Sequence, residues 1–462
     1  MTLAKHAAVT WDRVRPSDLA RPRIMSALRE LRLAWILAGI LFGWLAIFAW
    51  MQPLSPDEAV YKIVATGALH GQWPYRDLFD HKPPLAYAWY LPAALGAGMM
   101  TERVLAALCC AGSVPVFAVV ARRWLRGRQP AFATVAFAAL LANPGLAVRA
   151  NLESFLLLPL VGAFAVTTPL LAGVLLGIAV MTKPMALLFA PVLLLVWKRQ
   201  AWKAAAGAAA IGGAASLPFV PIWHDYWTAN VTFNLEYGSM PLAERLRTLF
   251  TVPAPIFVGW LPLWGLLAAA ALRMRAVRVW LLALCGVASV KLSGQDFNHY
   301  YTLVAPGAAM LAAPGLAWAW PRLAFRGILI VAVLASLLPV FLGFPSLVRN
   351  YDAIHHPLGD AASVIDATPG EFFVLGDHEQ PYVQADRQPE RRFFFVVPAI
   401  VRPEWGEEMR QGLLACPPAI LVTAGDSLFT VPWKDQVTAL YARRIDVPAG
   451  QVYLNPRITC TR

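Results

Sequence analysis

Long apolar runs separated by short basic clusters form the pattern of the chain from residue 33 to residue 344. A helix needs about 20 apolar residues to cross a bilayer, and Lys and Arg collect on the cytoplasmic side of membrane proteins. If every basic cluster is cytoplasmic, the pattern predicts about eleven crossings, with the N-terminus inside and the C-terminus outside. The predicted spans are 33–51, 103–121, 130–148, 152–168, 169–183, 185–197, 204–222, 252–272, 279–294, 300–319 and 326–344.

One further apolar stretch, from Pro84 to about Met99, is left out of this count. It is short for a crossing, and counting it would place the basic cluster at Arg122–Arg128 on the outer face. We therefore predict an interfacial helix along the outer leaflet, with its aromatic residues at headgroup level. The alternative is a true crossing.

The composition agrees with a membrane setting. Hydrophobic residues make up 58% of the 462 residues and charged residues only 14%, which is more apolar surface than a soluble domain can bury. The formal net charge of +12 does not indicate nucleic-acid binding, because the basic residues lie in short clusters between apolar runs. Residues 1–32 are expected to form a cytoplasmic tail before the first span.

The first outer loop, residues 52–84, concentrates ionisable side chains. Ser55 predicts a helix N-cap, with Pro56 at the first helical position and Glu58 completing a capping box. A carboxylate in this first turn, such as Asp57, is held ionised, as a general base or metal ligand must be. The alternative is that Asp57 and Glu58 only complement the helix dipole.

Other polar residues stand at span ends that this topology places on the same outer face. They are Arg149, Asn151, Glu153, Lys183, His224, Asp225, Asn234, Glu236, Tyr237, Gln295, Asp296, Asn298, His299, Tyr300 and Tyr301. Ionisable groups near a membrane are costly without partners, so each is a candidate for a functional site. Any single one could instead be a helix cap or a snorkelling side chain, but several segments converging on one leaflet predict a shared site.

Several short motifs occur in a specific order along the chain. An Asp-Glu pair follows the first span, and His81-Lys82-Pro83-Pro84 precedes the interfacial segment. An Arg-led span begins at Arg103, Thr182-Lys183-Pro184 breaks a later helix, and His299-Tyr300-Tyr301 precedes a late span. In this order, residues 33 to about 320 resemble the membrane-embedded polyprenyl-phosphate-dependent glycosyltransferases of the GT-C type. That group includes the protein O-mannosyltransferases and the lipid A aminoarabinose transferase.

The resemblance implies the transfer of a sugar from a polyprenyl-phosphate donor to a glycan or lipid acceptor, and less readily to a protein, at the outer face of the cytoplasmic membrane. Asp57 would be the catalytic base and Glu153 the second catalytic acidic group. Lys82 and Lys183 would bind the donor phosphate. The rival interpretation is a flippase or secondary transporter, whose polar groups should gather near the bilayer midplane rather than at one face.

The chain departs from the family pattern at two places. The aminoarabinose transferase has an acidic, metal-holding residue directly before the loop lysine, where this chain has His81, preceded by Asp80. Use of a divalent metal is therefore an expectation only, with Asp80 and His81 as the candidate ligands. Glu236 and Tyr237 align only loosely with a family position. Glu58, Arg149, His299 and Tyr300 complete the candidate site.

Residues 350–462 predict a small α/β domain outside the membrane. Polar residues and prolines become frequent there, and β-prone runs occur at 371–375, 392–397 and 419–422. An oxidising compartment would permit a disulfide between Cys416 and Cys460. This domain is expected to cover the site or to guide the acceptor, with no catalytic role.

Overall fold

We describe the protein from a computed structural model. The structure describes residues 16–143, 149–239, 276–293, 297–322, 361–376, 379–424, 430–448 and 450–458, together with isolated runs of one to three residues outside these ranges, among them 251–253 and 460. Almost all of the predicted spans 252–272 and 326–344, as well as Gln295 and Asp296, lie outside the described residues.

Helices dominate the part of the chain before residue 323. They are α1 (Pro16–Met51), α2 (Pro56–Leu69), α3 (Pro84–Ala88), α4 (Met99–Trp124), α5 (Gln129–Leu141), α6 (Leu152–Ala165), α7 (Pro169–Thr182), α8 (Ala190–Trp197), α9 (Ala201–Ser216), α10 (Trp223–Trp227), α11 (Asn234–Tyr237), α12 (Val277–Lys291) and α13 (Ala305–Ala319). Short 3₁₀ segments occupy Pro184–Phe189, Lys198–Gln200, Leu217–Ile222 and Asn298–Leu303, and single π turns occupy Ala93–Ala97 and Thr228–Phe233.

The chain is a multi-pass membrane protein, and the nine predicted spans that the structure describes all coincide with helices. Within the described residues, Leu28–Met51, Met99–Trp124 and the run Pro184–Tyr237 are long and apolar enough to cross a membrane. The last run is not one rod, because Lys198 has a φ of +46° and separates α8 from α9. The first helix begins at Pro16, so half of the predicted N-terminal tail is helical.

Close helix packing in this domain depends on small residues. A Cβ atom added at Gly173 of α7 would lie 1.8 Å from the carbonyl oxygen of Ala204 in α9, and one added at Gly207 would lie 2.3 Å from that of Leu170. Only glycine lets the two backbones approach this closely, as is common between membrane helices.

The segment predicted as one interfacial helix has a different structure. It consists of the five-residue α3, a π turn and a break at Gly96 and Gly98, whose φ angles are +95° and +78°. Glycine adopts these angles without a steric penalty, so the helix ends there before α4 begins. Tyr87 and Tyr90 are buried inside the protein, which corrects their expected position at headgroup level.

The C-terminal region forms the expected α/β domain. A four-stranded sheet has the order β1 (Phe372–Leu375), β2 (Ile420–Ala424), β4 (Gly450–Pro456) and β3 (Tyr441–Val447), with β1 and β2 parallel and the other pairs antiparallel. Its helices are α14 (Ala361–Ala367), α15 (Gln380–Gln384), α16 (Val397–Val401), α17 (Pro403–Ala415) and α18 (Lys434–Thr438). Cys416 and Cys460 form a disulfide, with their Cα atoms 5.4 Å apart.

Two of the three strand predictions are confirmed, as β1 and β2, whereas the strand predicted at 392–397 is wrong. Phe393, Phe394 and Phe395 are all buried, but their segment pairs with none of the described strands and leads into α16 at Val397. These rings pack into an apolar cluster that the C-terminal domain shares with the loop of residues 52–84, where Phe79 contacts Phe393. Apolar β-branched and aromatic composition alone did not distinguish this packing from a strand.

The same interface docks the C-terminal domain on the membrane domain through polar contacts. The backbone N–H of Phe79 donates to the carbonyl of Arg392 at 2.9 Å. Gln380 Nε2 donates to the carbonyl of Leu54 at 3.0 Å, directly before the start of α2. The C-terminal domain therefore lies against the loop of residues 52–84.

Candidate functional site

A cavity of about 300 Å³ lies where the loop of residues 52–84, several helix ends and the C-terminal domain meet. It is lined by Ser55, Pro56, Asp57, Val60, Tyr61, Asp80, His81, Lys82, Arg149, Asn151, Lys183, Tyr237, Phe297, His299, Tyr300, Glu379, Phe395 and Val397. The structure thus brings together most of the residues predicted from separate segments. Its size is that of a small-molecule site.

The start of α2 places Asp57 in this cavity. Ser55 Oγ accepts a hydrogen bond from the Glu58 backbone N–H at 3.2 Å, and Glu58 Oε2 accepts one from the Ser55 N–H at 2.8 Å. The predicted capping box, with Pro56 at the first position, is therefore confirmed. It fixes the first turn of α2 and with it the position of the Asp57 carboxylate.

Glu58 has a different environment and does not line the cavity. It is 0% exposed and accepts two hydrogen bonds from Arg103, at 2.9 and 2.8 Å. Burial opposes its charge, but Arg103, Arg149 and the Ser55 N–H outweigh burial and lower the pKa of the Glu58 carboxyl. Arg103 also donates to the carbonyls of Ala49, Gln52 and Pro53. This pair ties the end of α1 to α2 and α4, which is a structural role.

Asp80, His81 and Lys82 form a buried chain of contacts at one wall. His81 Nδ1 lies 3.2 Å from Asp80 Oδ1, and Lys82 Nζ contacts His81 Nε2. Burial opposes the charge of Asp80, but His81 and the Lys82 ammonium outweigh it and lower the pKa of this carboxyl to about 2. Burial and then Lys82 lower the pKa of His81, and burial also lowers the pKa of Lys82. A neutral His81 that accepts from the Lys82 ammonium matches these directions.

A second wall of the cavity, with Lys183, His299 and Tyr300, is built around Glu153 at the start of α6, although Glu153 itself is not a lining residue. Glu153 is 1% exposed, and its Oε1 accepts a hydrogen bond from Lys183 Nζ. Its Oε2 lies 3.9 Å from His299 Nε2. Lys183 Nζ also lies 3.9 Å from the centre of the Tyr300 ring, within the range of a cation–π contact. Lys183 is therefore a cation with a buried counter-ion, held at the end of α7.

Arg149 connects this wall to the first loop. Its guanidinium donates to the side-chain oxygen of Gln52 and to the carbonyl of Pro53, the latter at 3.1 Å. The neighbouring Ala150 N–H donates to Glu58 Oε1 at 3.1 Å. The 149–153 segment is thus anchored to the same turn that carries Asp57.

The fold has relatives among solved structures. ArnT from Cupriavidus metallidurans bound to undecaprenyl phosphate matches with a TM-score of 0.61 at 15% identity, over 92% of this chain and 97% of that chain. The apo state of the same protein gives 0.59 at 16% identity, over 92% and 98%. This chain has the GT-C fold. The fold implied by the motif resemblance is thereby confirmed.

A more distant match is the archaeal oligosaccharyltransferase AglB from Archaeoglobus fulgidus, in complex with an inhibitory peptide and a dolichol-phosphate. Its TM-score is 0.51 at 12% identity, over 87% of this chain and 70% of that chain. No family model and no curated protein matches the chain by sequence. At these identities the similarity establishes the GT-C fold, and the chemistry has to be argued from the residues.

Two features of the site within this GT-C fold differ from the sequence-based picture. Glu236 lies outside the cavity and pairs with Arg402 of the C-terminal domain, at 2.5 and 2.8 Å, whereas its neighbour Tyr237 lines the cavity. The C-terminal domain contributes Glu379, which is 2% exposed, along with Phe395 and Val397. Sequence reasoning missed Glu379, although a charged run directly after an apolar strand is a usable signal, since ligands often bind at the carboxyl ends of parallel strands.

The contacts of Asp80 and His81 do not fit the metal prediction. His81 Nδ1 faces the Asp80 carboxylate, and His81 Nε2 faces the Lys82 ammonium. The charge of this ammonium would repel a metal cation. Across the described residues, no three His, Cys, Asp or Glu side chains gather as metal ligands. Metal dependence stays a prediction that a chelator can test.

Proposed function

We propose that this protein transfers a sugar from a polyprenyl-phosphate donor to a hydroxyl group of a glycan or lipid acceptor. The observation that carries the proposal is the cavity that joins the Asp57 carboxylate to Lys82 and Lys183 next to a membrane domain with the GT-C fold. A base and two cations in one enclosed site are what the displacement of a phosphate group requires.

The two lysines form the donor end of the site in this proposal. Each directly precedes a proline, at Pro83 and Pro184, and both line the cavity although they are far apart in sequence. A lipid phosphate between them would receive charge-assisted hydrogen bonds from both ammonium groups. The ArnT and AglB relatives were solved with undecaprenyl phosphate and a dolichol-phosphate, which supports a donor of this chemical class.

Asp57 is the general base in this mechanism. Its carboxylate accepts the proton of the acceptor hydroxyl while that oxygen forms a bond to the anomeric carbon of the sugar. The bond between the anomeric carbon and the phosphate oxygen breaks, and its electron pair leaves with the phosphate. Lys82 and Lys183 stabilise the charge that develops there. A positioned carboxylate base typically accelerates such a step by about 10²–10⁴-fold.

Glu153 acts through its neighbours rather than on the substrate. Its Oε1 accepts from Lys183 and its Oε2 faces His299, so its charge holds both side chains at the cavity wall. We therefore assign Glu153 as a positioning residue. This role is narrower than that of a second catalytic acidic group, which the resemblance implies.

The proposal places the site at the outer face of the cytoplasmic membrane, with a cytoplasmic N-terminus and an extracytoplasmic C-terminal domain. The basic clusters support this orientation. A flippase or transporter stays the alternative. The activity of the purified protein in detergent distinguishes the two functions. A glycosyltransferase still transfers sugar there, because this reaction needs no membrane barrier.

The experiment is lipid and glycan mass spectrometry of a deletion strain, complemented with the parent chain or with single variants. A sugar lost on deletion identifies the product, and Asp57→Asn should fail to restore it while accumulating in the membrane at parental abundance. The matched control is Asp77→Asn, a carboxylate of the same loop that pairs with Arg76 outside the cavity. Full restoration by Asp57→Asn would remove Asp57 from the mechanism. A chelator added to the purified enzyme tests the metal prediction in the same assay.

A further inference from the structure

A second cavity, of about 480 Å³, lies on the other side of α2 from the candidate site. It is lined by Lys62, Ile63, Thr66, Leu69 and His70 of α2 and its C-terminal end, by Ala93, Ala94, Leu95 and Gly96 of the π turn, and by Tyr382, Val383, Asp386, Arg387 and Gln388 of the C-terminal domain. Its volume is in the range of ligand-binding pockets. None of these residues belongs to the site described above.

The charge of this cavity favours an anion. Lys62 and Arg387 come from different domains and face the same space, with His70 beside them and one lining carboxylate, Asp386. Among the described residues Lys62 forms no ion pair within 4.0 Å, although the Glu102 carboxylate, which accepts from the Ala93 N–H, interacts with it electrostatically. Arg387 is held in place because it donates to the carbonyls of Ile365 and Thr368, at 3.1 and 3.0 Å.

The wall can also supply neutral hydrogen bonds. Thr66 Oγ1 and Gln388 Oε1 are buried there without a hydrogen-bond partner among the described residues. Buried polar atoms are paired in most proteins, so each orphan points to a group that completes it. The Thr66 hydroxyl can donate to an anion in the cavity, whereas the Gln388 oxygen can only accept and needs a donor such as a hydroxyl group.

The rim of the cavity favours a lipid as the source of the anion. Leu95 and Leu69 line it and are 73% and 45% exposed, and the nearby Met100 at the start of α4 is exposed as well. Exposed apolar side chains at the surface of a membrane protein are candidates for contact with lipid chains. The cavity thus combines a cationic interior with an apolar edge, which matches the two ends of a phosphorylated lipid.

We propose that this cavity binds the phosphate-bearing head group of an anionic lipid, between Lys62 of the membrane domain and Arg387 of the C-terminal domain. A head group in this position would join the two domains and stabilise their docking on α2. The proposal stands independently of sugar transfer, because no residue of the first cavity takes part in it.

The test uses the purified full-length chain in a neutral detergent, with dioleoyl phosphatidic acid as the probe and native mass spectrometry as the readout of bound lipid. Dioleoyl phosphatidylcholine has the same chains without the net negative charge, and inorganic phosphate has the charge without the chains. We expect phosphatidic acid to bind, to raise the unfolding temperature, and to be displaced neither by the choline lipid nor by inorganic phosphate at comparable concentration.

Lys62→Gln and Thr66→Val are the informative variants, because within the described part of the chain neither side chain makes a hydrogen bond on which folding depends. Lys62→Gln should weaken phosphatidic acid binding about tenfold or more, because the variant loses one hydrogen bond to a charged group. The matched control is Lys203→Gln, a lysine beside Trp202 on another part of the surface, which should bind the lipid as the parent does.

Three results would overturn the proposal. Equal binding by Lys62→Gln and the parent would show that the cavity is not the site. Competition by inorganic phosphate at the concentration of the lipid would show a site for soluble phosphate. Loss of binding in Lys82→Ala, with retention in Lys62→Gln, would place the lipid in the first cavity instead.

Discussion

The ion pair between Glu58 and Arg103 gives a prediction that separates structural from chemical carboxylates. Glu58→Gln keeps the size of the side chain but removes its charge and replaces one of its two acceptor oxygens with an NH2 group, which cannot accept from Arg103, Ser55 or Ala150. Arg103 is 4% exposed, so this variant leaves a buried guanidinium without its counter-ion. Breaking a buried ion pair in this way typically costs about 3–5 kcal/mol. We expect Glu58→Gln to lower the stability of the purified protein by about that amount at neutral pH.

The sign of the pH dependence follows from the lowered pKa of Glu58. A carboxyl whose folded pKa lies below its ordinary value of 4.5 contributes its full stability above about pH 4.5. That contribution is lost as the pH falls through the lowered folded value. The difference in stability between the parent and Glu58→Gln should therefore be constant near neutral pH and shrink in acid. Unfolding in detergent, followed by tryptophan fluorescence at several pH values, measures it.

A double variant is the internal control for this reasoning. Glu58→Leu combined with Arg103→Met removes both charges, and it should recover part of the stability that Glu58→Gln loses. The recovery should be partial, because Arg103 also satisfies three backbone carbonyls at the end of α1. A Glu58→Gln protein with parental stability but no transfer activity would refute the structural assignment and make Glu58 a chemical group.

Three further predictions concern the lysines of the candidate site, Glu379 and the membrane topology. Lys82→Ala should weaken the binding of polyprenyl-phosphate sugar at least about tenfold. Lys183→Ala should weaken it to the same extent and should also destabilise the fold, because it leaves the buried Glu153 carboxylate without its partner. Parental donor binding in both variants would eliminate the shared phosphate site. Glu379→Gln should reduce transfer without changing donor binding, because this carboxylate reaches the cavity from the C-terminal domain; unchanged transfer would limit it to a wall residue. A cysteine introduced at Gln72 should react with an impermeant thiol reagent outside intact cells and one at Gly127 should not, and labelling at Gly127 alone would invert the topology.

Local chemistry made much of the first loop predictable. The capping box at Ser55 is encoded within four residues, so its sequence determined its structure. The convergence of Lys82, Lys183 and His299 followed from topology, because helix ends on one leaflet are brought together by the packing of the bundle. Neither inference needed a detailed tertiary structure.

Pairings between distant segments could not be predicted in the same way. Lys183 is neutralised by Glu153, and Glu236 by Arg402, although nothing in the spacing of these residues selects one partner over another. The choice depends on which side chains the packed backbones bring within about 4 Å. The same holds for the three phenylalanines after Arg392. Their composition favours a strand, but Phe393 packs against Phe79 and the segment forms no strand.

Asp57 and Glu58 show how a single step along a helix separates two roles. Consecutive residues of an α-helix point about 100° apart, since one turn takes 3.6 residues. Asp57 therefore faces the cavity, while Glu58 faces the end of α1 and is bound by Arg103. The ion pair fixes the rotation of α2 about its own axis, and that rotation determines where the Asp57 carboxylate lies. Glu58, which touches no substrate in this proposal, thus positions Asp57, which does.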